Sequence, residues 1–65
     1  MMGDKIRKLR NTHNMSQDKV AELLDCDREK ISRYENNKIT KPDYFFICRL
    51  ADIFCVDLDY FRKDN

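Results

Sequence analysis

The chain has 65 residues, with 13 Lys/Arg and 12 Asp/Glu, so its formal net charge is only +1. This length predicts one small domain, residues 1–65, and leaves no room within these residues for a second domain or a large catalytic cleft. One Gly and one Pro argue against a turn-rich β fold, and an all-α domain of five helices is expected.

The first predicted helix covers residues 4–12. Ile6 and Leu9 have helical spacing and are expected to face the core, whereas Arg7 and Lys8 are more exposed. Behind this helix, Met15 is expected to close the core, and His13 is expected to be a solvated or capping residue.

Two short helices follow, at residues 17–24 and 28–36, joined by a tight turn at 25–27. Ser16 and Asp27 are suited to cap their amino ends, because each offers a side-chain oxygen to free amides of the first turn. Ala21 is small enough to let the helices cross closely, with Ile31 as its apolar partner. The apolar positions are those of a helix-turn-helix unit: Val20, Leu24, Cys26, Ile31 and Tyr34.

A loop at residues 38–42 leads to a fourth helix at 44–54, which Asp43 is expected to cap. Asp57 is expected to cap a fifth helix at 58–62, and residues 62–65 are expected to form a frayed tail. In the fourth helix the residues with helical spacing are expected to face the core, and these are Tyr44, Ile47, Leu50, Ala51 and Phe54.

Phe45 and Phe46 do not fit this core-facing row, so at least one of them is expected to point outward. A single exposed aromatic side chain is ordinary in soluble proteins. The alternative is that Phe45 and Phe46 contact a second protein chain.

From about residue 6 to residue 61 the chain resembles the helix-turn-helix domain of the phage Cro/repressor (XRE) family. The order and spacing of the matching pieces carry this resemblance, and Asp25, Asn37 and Cys55 stand where the family often has Gly. Asp and Asn are the non-Gly residues that best tolerate a left-handed backbone. The matching pieces are Ile6-Arg-Lys-Leu-Arg10, Met15-Ser-Gln17, Val20-Ala-Glu-Leu-Leu24, Ile31-Ser32, Tyr34-Glu-Asn36, Lys38, Pro42, Leu50-Ala51 and Val56-Asp-Leu-Asp59.

The resemblance implies that the third helix reads base edges in a DNA major groove. Arg can bond guanine O6 and N7, and Glu can accept from cytosine N4. The simpler alternative is a solvated face on which Glu29 and Arg33, four residues apart, pair with each other. The implied base-reading residues are Arg28, Glu29, Ser32 and Arg33.

Phosphate contacts are implied at the edges of the same unit, and an ion pair is implied between Arg10 and Glu35. The charge distribution agrees with DNA contacts on this side of the molecule. Residues 1–42 hold ten Lys/Arg and seven Asp/Glu, whereas residues 43–65 hold three Lys/Arg and five Asp/Glu. The implied phosphate-contacting residues are Arg10, Gln17, Asn36, Lys38 and Lys41.

The segment from Val56 to Phe61 matches the part of the family that often forms the subunit contact. The implied dimer residues are Val56, Leu58 and Tyr60. The sequence thus predicts a sequence-specific regulator of transcription, a repressor that binds a palindromic operator as a homodimer.

Two other functions are weighed against this prediction. A protein-interaction module, such as an antitoxin or anti-repressor, is favoured by Phe45, Phe46 and the near-neutral charge. RNA binding is a weaker alternative, because the sequence does not predict the exposed aromatic platforms and basic grooves that bind single-stranded nucleic acids.

No catalytic group, metal site or cofactor is expected. Cys26, Cys48 and Cys55 form no Cys-x-x-Cys pair and are expected to be reduced thiols packed as small apolar side chains. With no apolar leader after Met1 and no apolar run long enough to span a membrane, a cytoplasmic protein is expected.

Overall fold

The computed structural model describes residues 2–62, and this part of the chain contains five α-helices and no strand. The sequence-based expectation of an all-α, five-helix domain is confirmed. The frayed tail predicted for residues 62–65 lies outside the described residues, apart from Arg62. The helices are α1 Met2–Thr12, α2 Gln17–Leu24, α3 Arg28–Glu35, α4 Tyr44–Phe54 and α5 Asp59–Arg62.

Three helix boundaries differ by one or two residues from those predicted, and the largest difference is at α1. The helix begins at Met2, and its Gly3 amide donates a hydrogen bond to Asn37 Oδ1 at 3.0 Å. A Cβ atom at this position would lie 2.6 Å from the Tyr34 carbonyl oxygen. Only a glycine therefore lets α1 approach the end of α3 this closely.

The core forms where α2 and α3 cross and where α1 and α4 pack onto them. Ala21 is 3% exposed and Ile31 is 1% exposed, so the predicted crossing point is confirmed. Ile6, Leu50 and Phe54 from the flanking helices are also buried in this core. The arrangement leaves the outer side of α3 facing solvent.

Ser16 and Asp43, two of the four predicted caps, make side-chain capping hydrogen bonds at the amino ends of α2 and α4. Ser16 Oγ accepts from the Lys19 amide at 3.0 Å, and Asp43 Oδ1 accepts from the Phe45 amide at 2.9 Å. Asp27 occupies the N-cap position of α3, but its side chain makes no capping hydrogen bond.

Each of the first four helices is followed, one or two residues after its end, by a residue with a left-handed backbone, and none of these residues is glycine. Their φ angles lie between 55° and 58°. In each case the following amide reaches back five residues, as in the bond from the Cys26 amide to the Ala21 carbonyl at 2.9 Å. This is the Schellman arrangement. The four residues are Asn14, Asp25, Asn37 and Cys55.

The first turn of α4 faces the core differently from the prediction. Phe46 is 5% exposed, whereas Tyr44 is 65% and Phe45 78% exposed. The Phe46 ring stacks on Tyr34 with ring centres 4.5 Å apart, and Lys30 Nζ lies 4.6 Å from its centre. The expectation that Tyr44 faces the core is wrong, and Phe46 is not available to an outside partner because α3 covers it.

The three cysteines are free thiols with different surroundings. Cys26 and Cys48 are half-buried, and burial raises the pKa of the Cys26 thiol despite the nearby Lys30 charge. Cys55 is exposed at the left-handed end of α4, so the expectation that it packs as an apolar side chain is wrong. Within residues 2–62, no helix is both long and apolar enough to cross a membrane.

Candidate nucleic-acid interface

The outer face of α3 holds the residues that the sequence analysis assigned to base reading. Arg28, Glu29 and Arg33 are exposed and Ser32 is half-exposed. The opposite face of α3 is buried through Ile31, Tyr34 and Glu35, so the helix has one orientation in the fold. The structure thus brings the four predicted base-reading residues together on one accessible face.

Gln17, the first residue of α2, connects this face to the interior. Its Nε2 donates to Glu35 Oε1 at 3.1 Å, and its Oε1 accepts from Arg28 Nη1 at 3.2 Å. Arg28 Nε also lies 3.7 Å from Asp18 Oδ1. The Arg28 side chain is therefore held over the amino end of α2.

Glu35 lies at the centre of a buried polar cluster, with no exposed side-chain surface. Arg10 Nε donates to Glu35 Oε2 at 2.5 Å and Arg10 Nη2 to Oε1 at 3.1 Å, so the predicted ion pair is confirmed. Burial alone would raise the pKa of the Glu35 carboxyl. The hydrogen bonds from Arg10, Gln17 and Arg7, with the Arg10 charge, nevertheless hold that pKa below its usual value.

Arg10 is engaged within the fold more fully than the sequence analysis expected of a phosphate-contacting residue. Its side chain is 15% exposed, and its Nη1 donates to the Met15 carbonyl at 3.0 Å. The guanidinium therefore joins α1, the loop before α2 and the end of α3. Its contact with a phosphate stays a prediction.

The remaining predicted phosphate contacts, Asn36, Lys38 and Lys41, lie in the exposed segment after α3. Asn36 is also part of a hydrogen-bonded chain. Its Oδ1 accepts from Arg7 Nη2 at 3.1 Å, and its Nδ2 donates to Ser32 Oγ at 3.3 Å. From the sequence, Arg7 was expected only to be exposed. Its position three residues before Arg10 does indicate that both side chains lie on the same face of α1.

Val56, Leu58 and Tyr60, the predicted dimer residues, lie half-buried at the edge of the core. The Tyr60 carbonyl accepts from Lys5 Nζ at 2.9 Å, and the same Nζ lies 5.7 Å from the centre of the Tyr60 ring. These contacts fix α5 to α1 and leave part of each side chain accessible.

A shallow apolar groove lies between α4 and α5, on the side where Tyr44 is exposed. The rings of Tyr44 and Phe45 meet edge to face, with centres 6.4 Å apart. The lining of the groove includes Met2, Pro42, Tyr44, Ile47, Leu58 and Phe61. Arg62 adds a charged side chain to this lining, and Phe45 is exposed beside the groove.

Two short helices that cross at Ala21 and Ile31, with the outer face of the second one accessible, define a helix-turn-helix unit. The profile of the family described as "Helix-turn-helix domain" matches residues 2–61, and the chain belongs to this family. The resemblance to the Cro/repressor (XRE) type of this domain is confirmed.

A curated relative is the SPbeta prophage-derived uncharacterized HTH-type transcriptional regulator YonR of Bacillus subtilis (strain 168). The two are 30% identical over 63 residues, which cover 97% of this chain and 57% of YonR. The chain therefore spans little more than half the length of this relative.

Two solved structures have the same fold. The N-terminal DNA binding domain of SinR from Bacillus subtilis superposes with a TM-score of 0.90 at 22% identity, covering 100% of this chain and 94% of that one. A crystal structure of SinR, the master regulator for biofilm formation, in complex with DNA gives a TM-score of 0.88 at 22% identity. That match covers 97% of this chain and 100% of the SinR chain.

Proposed function

We propose that this chain binds double-stranded DNA through α3 and regulates transcription from the sites that it recognises. The observation that carries the proposal is the outer face of α3, where Arg28, Glu29, Ser32 and Arg33 are accessible together. Arg and Glu on one turn can read guanine and cytosine edges. The buried opposite face of α3 supplies the rigid support that a reading helix requires.

The relatives support the same proposal. YonR is described as an HTH-type transcriptional regulator, and SinR has been crystallised in complex with DNA. The proposal includes that the protein is not an enzyme and that it acts in the cytoplasm, where DNA is accessible. It also includes that residues 1–65 form one domain.

The direct test is selection of bound duplexes from a random pool, followed by titration of the enriched duplex at several salt concentrations. We expect one enriched motif. The logarithm of the binding constant should fall by about 0.9 for each phosphate contact per unit of log salt concentration. No enriched motif, or binding that salt does not change, would contradict the proposal.

Matched variants separate the proposed phosphate contacts from a general loss of charge. Lys38→Gln and Lys41→Gln each remove one cation from the segment after α3, and each should reduce the salt slope by about 0.9. Lys19→Gln removes one exposed cation from α2 and serves as the control. Equal slopes for all three variants would argue against specific phosphate contacts at Lys38 and Lys41.

The finer proposal is a repressor that binds a two-fold symmetric operator as a homodimer. A dimer would set two copies of α3 in successive major grooves, about 34 Å apart. The accessible parts of Val56, Leu58 and Tyr60 supply apolar surface for the contact. The selected motif should then be a near-palindrome.

Tyr60→Asp tests the dimer, because it places a charge in this apolar surface. The variant should lose cooperative binding to the full site and keep half-site binding. Asn11→Asp adds the same charge on an exposed position of α1 and is the control. If Tyr60→Asp binds the full site as tightly as the parent, the dimer contact lies elsewhere.

A second candidate function is that of a protein-interaction module, and the groove beside Phe45 favours it. Exposed apolar surface of this kind marks partner sites in soluble proteins. Phe45 is 78% exposed, so Phe45→Ser should leave the fold intact while weakening capture of a protein partner. Unchanged regulation in a Phe45→Ser strain would argue against this function.

A further inference from the structure

Arg7 reaches from α1 to the last turn of α3 without belonging to the predicted reading surface. Its side chain is 45% exposed. Arg7 Nη2 donates to Asn36 Oδ1 at 3.1 Å and to the Glu35 carbonyl at 3.4 Å. Arg7 therefore binds the two residues at which α3 ends, Glu35 and Asn36.

The contact with Arg7 decides which way the Asn36 amide points. A guanidinium group only donates hydrogen bonds, so the Asn36 atom that faces Arg7 must be the carbonyl oxygen. The amide nitrogen then faces the other way, where Asn36 Nδ2 lies 3.3 Å from Ser32 Oγ. Arg7 thereby fixes the direction of the hydrogen bond between Asn36 and Ser32.

The direction of this bond sets what Ser32 can offer to a ligand. A serine hydroxyl has one hydrogen to donate and two lone pairs with which to accept. Because Ser32 Oγ accepts from Asn36 Nδ2, its own hydrogen remains available for an acceptor on the outer face of α3. Guanine N7 and O6, adenine N7 and thymine O4 are such acceptors in the major groove, whereas cytosine N4 is a donor.

We infer that Arg7 is a positioning residue for DNA sequence recognition, which makes Ser32 a hydrogen-bond donor to one base edge. This inference rests on the proposed function. Without the Arg7 donor, the Asn36 amide is free to turn over and present Oδ1 to Ser32. The Ser32 hydrogen would then be taken by Asn36, and the preference for an acceptor edge would be lost.

The experiment compares the motifs enriched from a random duplex pool by the parent protein, Ser32→Ala and Arg7→Met. Methionine keeps a long side chain but cannot donate a hydrogen bond. Lys8→Met removes one positive charge from an exposed position of the same helix and is the control. Arg7→Lys is the conservative rescue, since an ammonium group also only donates. Circular dichroism checks that each variant is folded.

We expect Ser32→Ala and Arg7→Met to relax the preference at the same base pair by about two- to tenfold, as for one neutral hydrogen bond. Lys8→Met and Arg7→Lys should keep that preference. The inference is overturned if Arg7→Met weakens all duplexes equally with the motif unchanged. It is also overturned if Ser32→Ala leaves the motif unchanged, because the hydroxyl would then be bonded within α3.

The experiment distinguishes a failure of the proposed DNA binding from a failure of the proposed role of Arg7. If the parent protein enriches no motif, the proposed function itself is contradicted. If the parent enriches a motif and only the Arg7→Met result differs from expectation, the proposed function stands and the role of Arg7 is wrong.

Discussion

The Glu35 carboxylate is bound by Arg10 through two hydrogen bonds, from Nε at 2.5 Å and from Nη2 at 3.1 Å. Glu35 belongs to the last turn of α3 and Arg10 to the last turn of α1, so this pair fixes α3 to the rest of the domain. Gln17 adds a further donor from the start of α2. The position of the candidate reading face therefore depends on a buried charged group.

Arg10→Met should destabilise the protein strongly, because it leaves the buried Glu35 carboxylate without its main partner. The expected loss is about 3 kcal/mol or more in the free energy of unfolding. The double variant Arg10→Met with Glu35→Leu should recover part of this loss, since no charge is then buried. Urea unfolding measures both values.

The control is Glu22→Gln, which breaks the exposed pair between Lys19 Nζ and Glu22 Oε1 at 3.5 Å. Exposed pairs of this kind contribute about 0–1 kcal/mol. Similar losses for Arg10→Met and Glu22→Gln would show that the Arg10–Glu35 pair is not shielded from solvent.

Acid should weaken the fold through Glu35. Its pKa is lowered in the folded state, so the unfolded chain takes up the proton first as the pH falls below about 4.3, the usual value for glutamate. The stabilisation is complete above that pH and is lost as the pH falls through the folded-state pKa. The difference in unfolding free energy between the parent and Glu35→Gln should therefore shrink in acid. A constant difference would contradict the assignment.

Phe46 and Phe45 are neighbours in the sequence, but truncation should destabilise the protein strongly at Phe46 and hardly at all at Phe45. Phe46→Ala removes a buried ring that stacks on Tyr34 and should cost about 3–5 kcal/mol in the free energy of unfolding. Phe45→Ala removes a ring that is 78% exposed and should change it by less than about 0.5 kcal/mol. Equal losses in denaturant unfolding would mean that the first turn of α4 is packed differently.

The first turn of α4 also shows where sequence reasoning reaches its limit. The periodicity of Ile47, Leu50 and Phe54 extends backwards equally well to Tyr44, three residues before Ile47, and to Phe46, four residues before Leu50. The choice between them is made by the Tyr34 ring on α3, which stacks on Phe46. Local spacing does not encode such a contact between helices.

The helix-turn-helix unit itself was predictable, because its signals are local. Ser16, Ala21 and Ile31 lie within 16 residues, and each acts through its size or its capping oxygen. The Arg10–Glu35 pair was reached through the resemblance to a family, since 25 residues separate the partners. The bonds of Arg7 to Asn36, across 29 residues, were missed for the same reason.

Cys55→Gly should stabilise the protein, because Cys55 has a left-handed backbone with φ of 56°. A residue with a Cβ costs about 1–2 kcal/mol in this conformation, and glycine does not. Cys55→Ala keeps the Cβ and removes the exposed thiol, so it is the matched control. Thermal unfolding should rank Cys55→Gly above Cys55→Ala, and the reverse order would show that strain at this position is negligible.

The most direct test of a reading role for α3 compares Arg33→Ala with Lys38→Ala on the selected duplex and on its single base-pair variants. Arg33→Ala should cost about 1–3 kcal/mol on the preferred site and lose discrimination at one base pair. Lys38→Ala should weaken binding to all duplexes about equally, as a phosphate contact does. If both substitutions act equally on every duplex, α3 does not read the sequence and the central claim is contradicted.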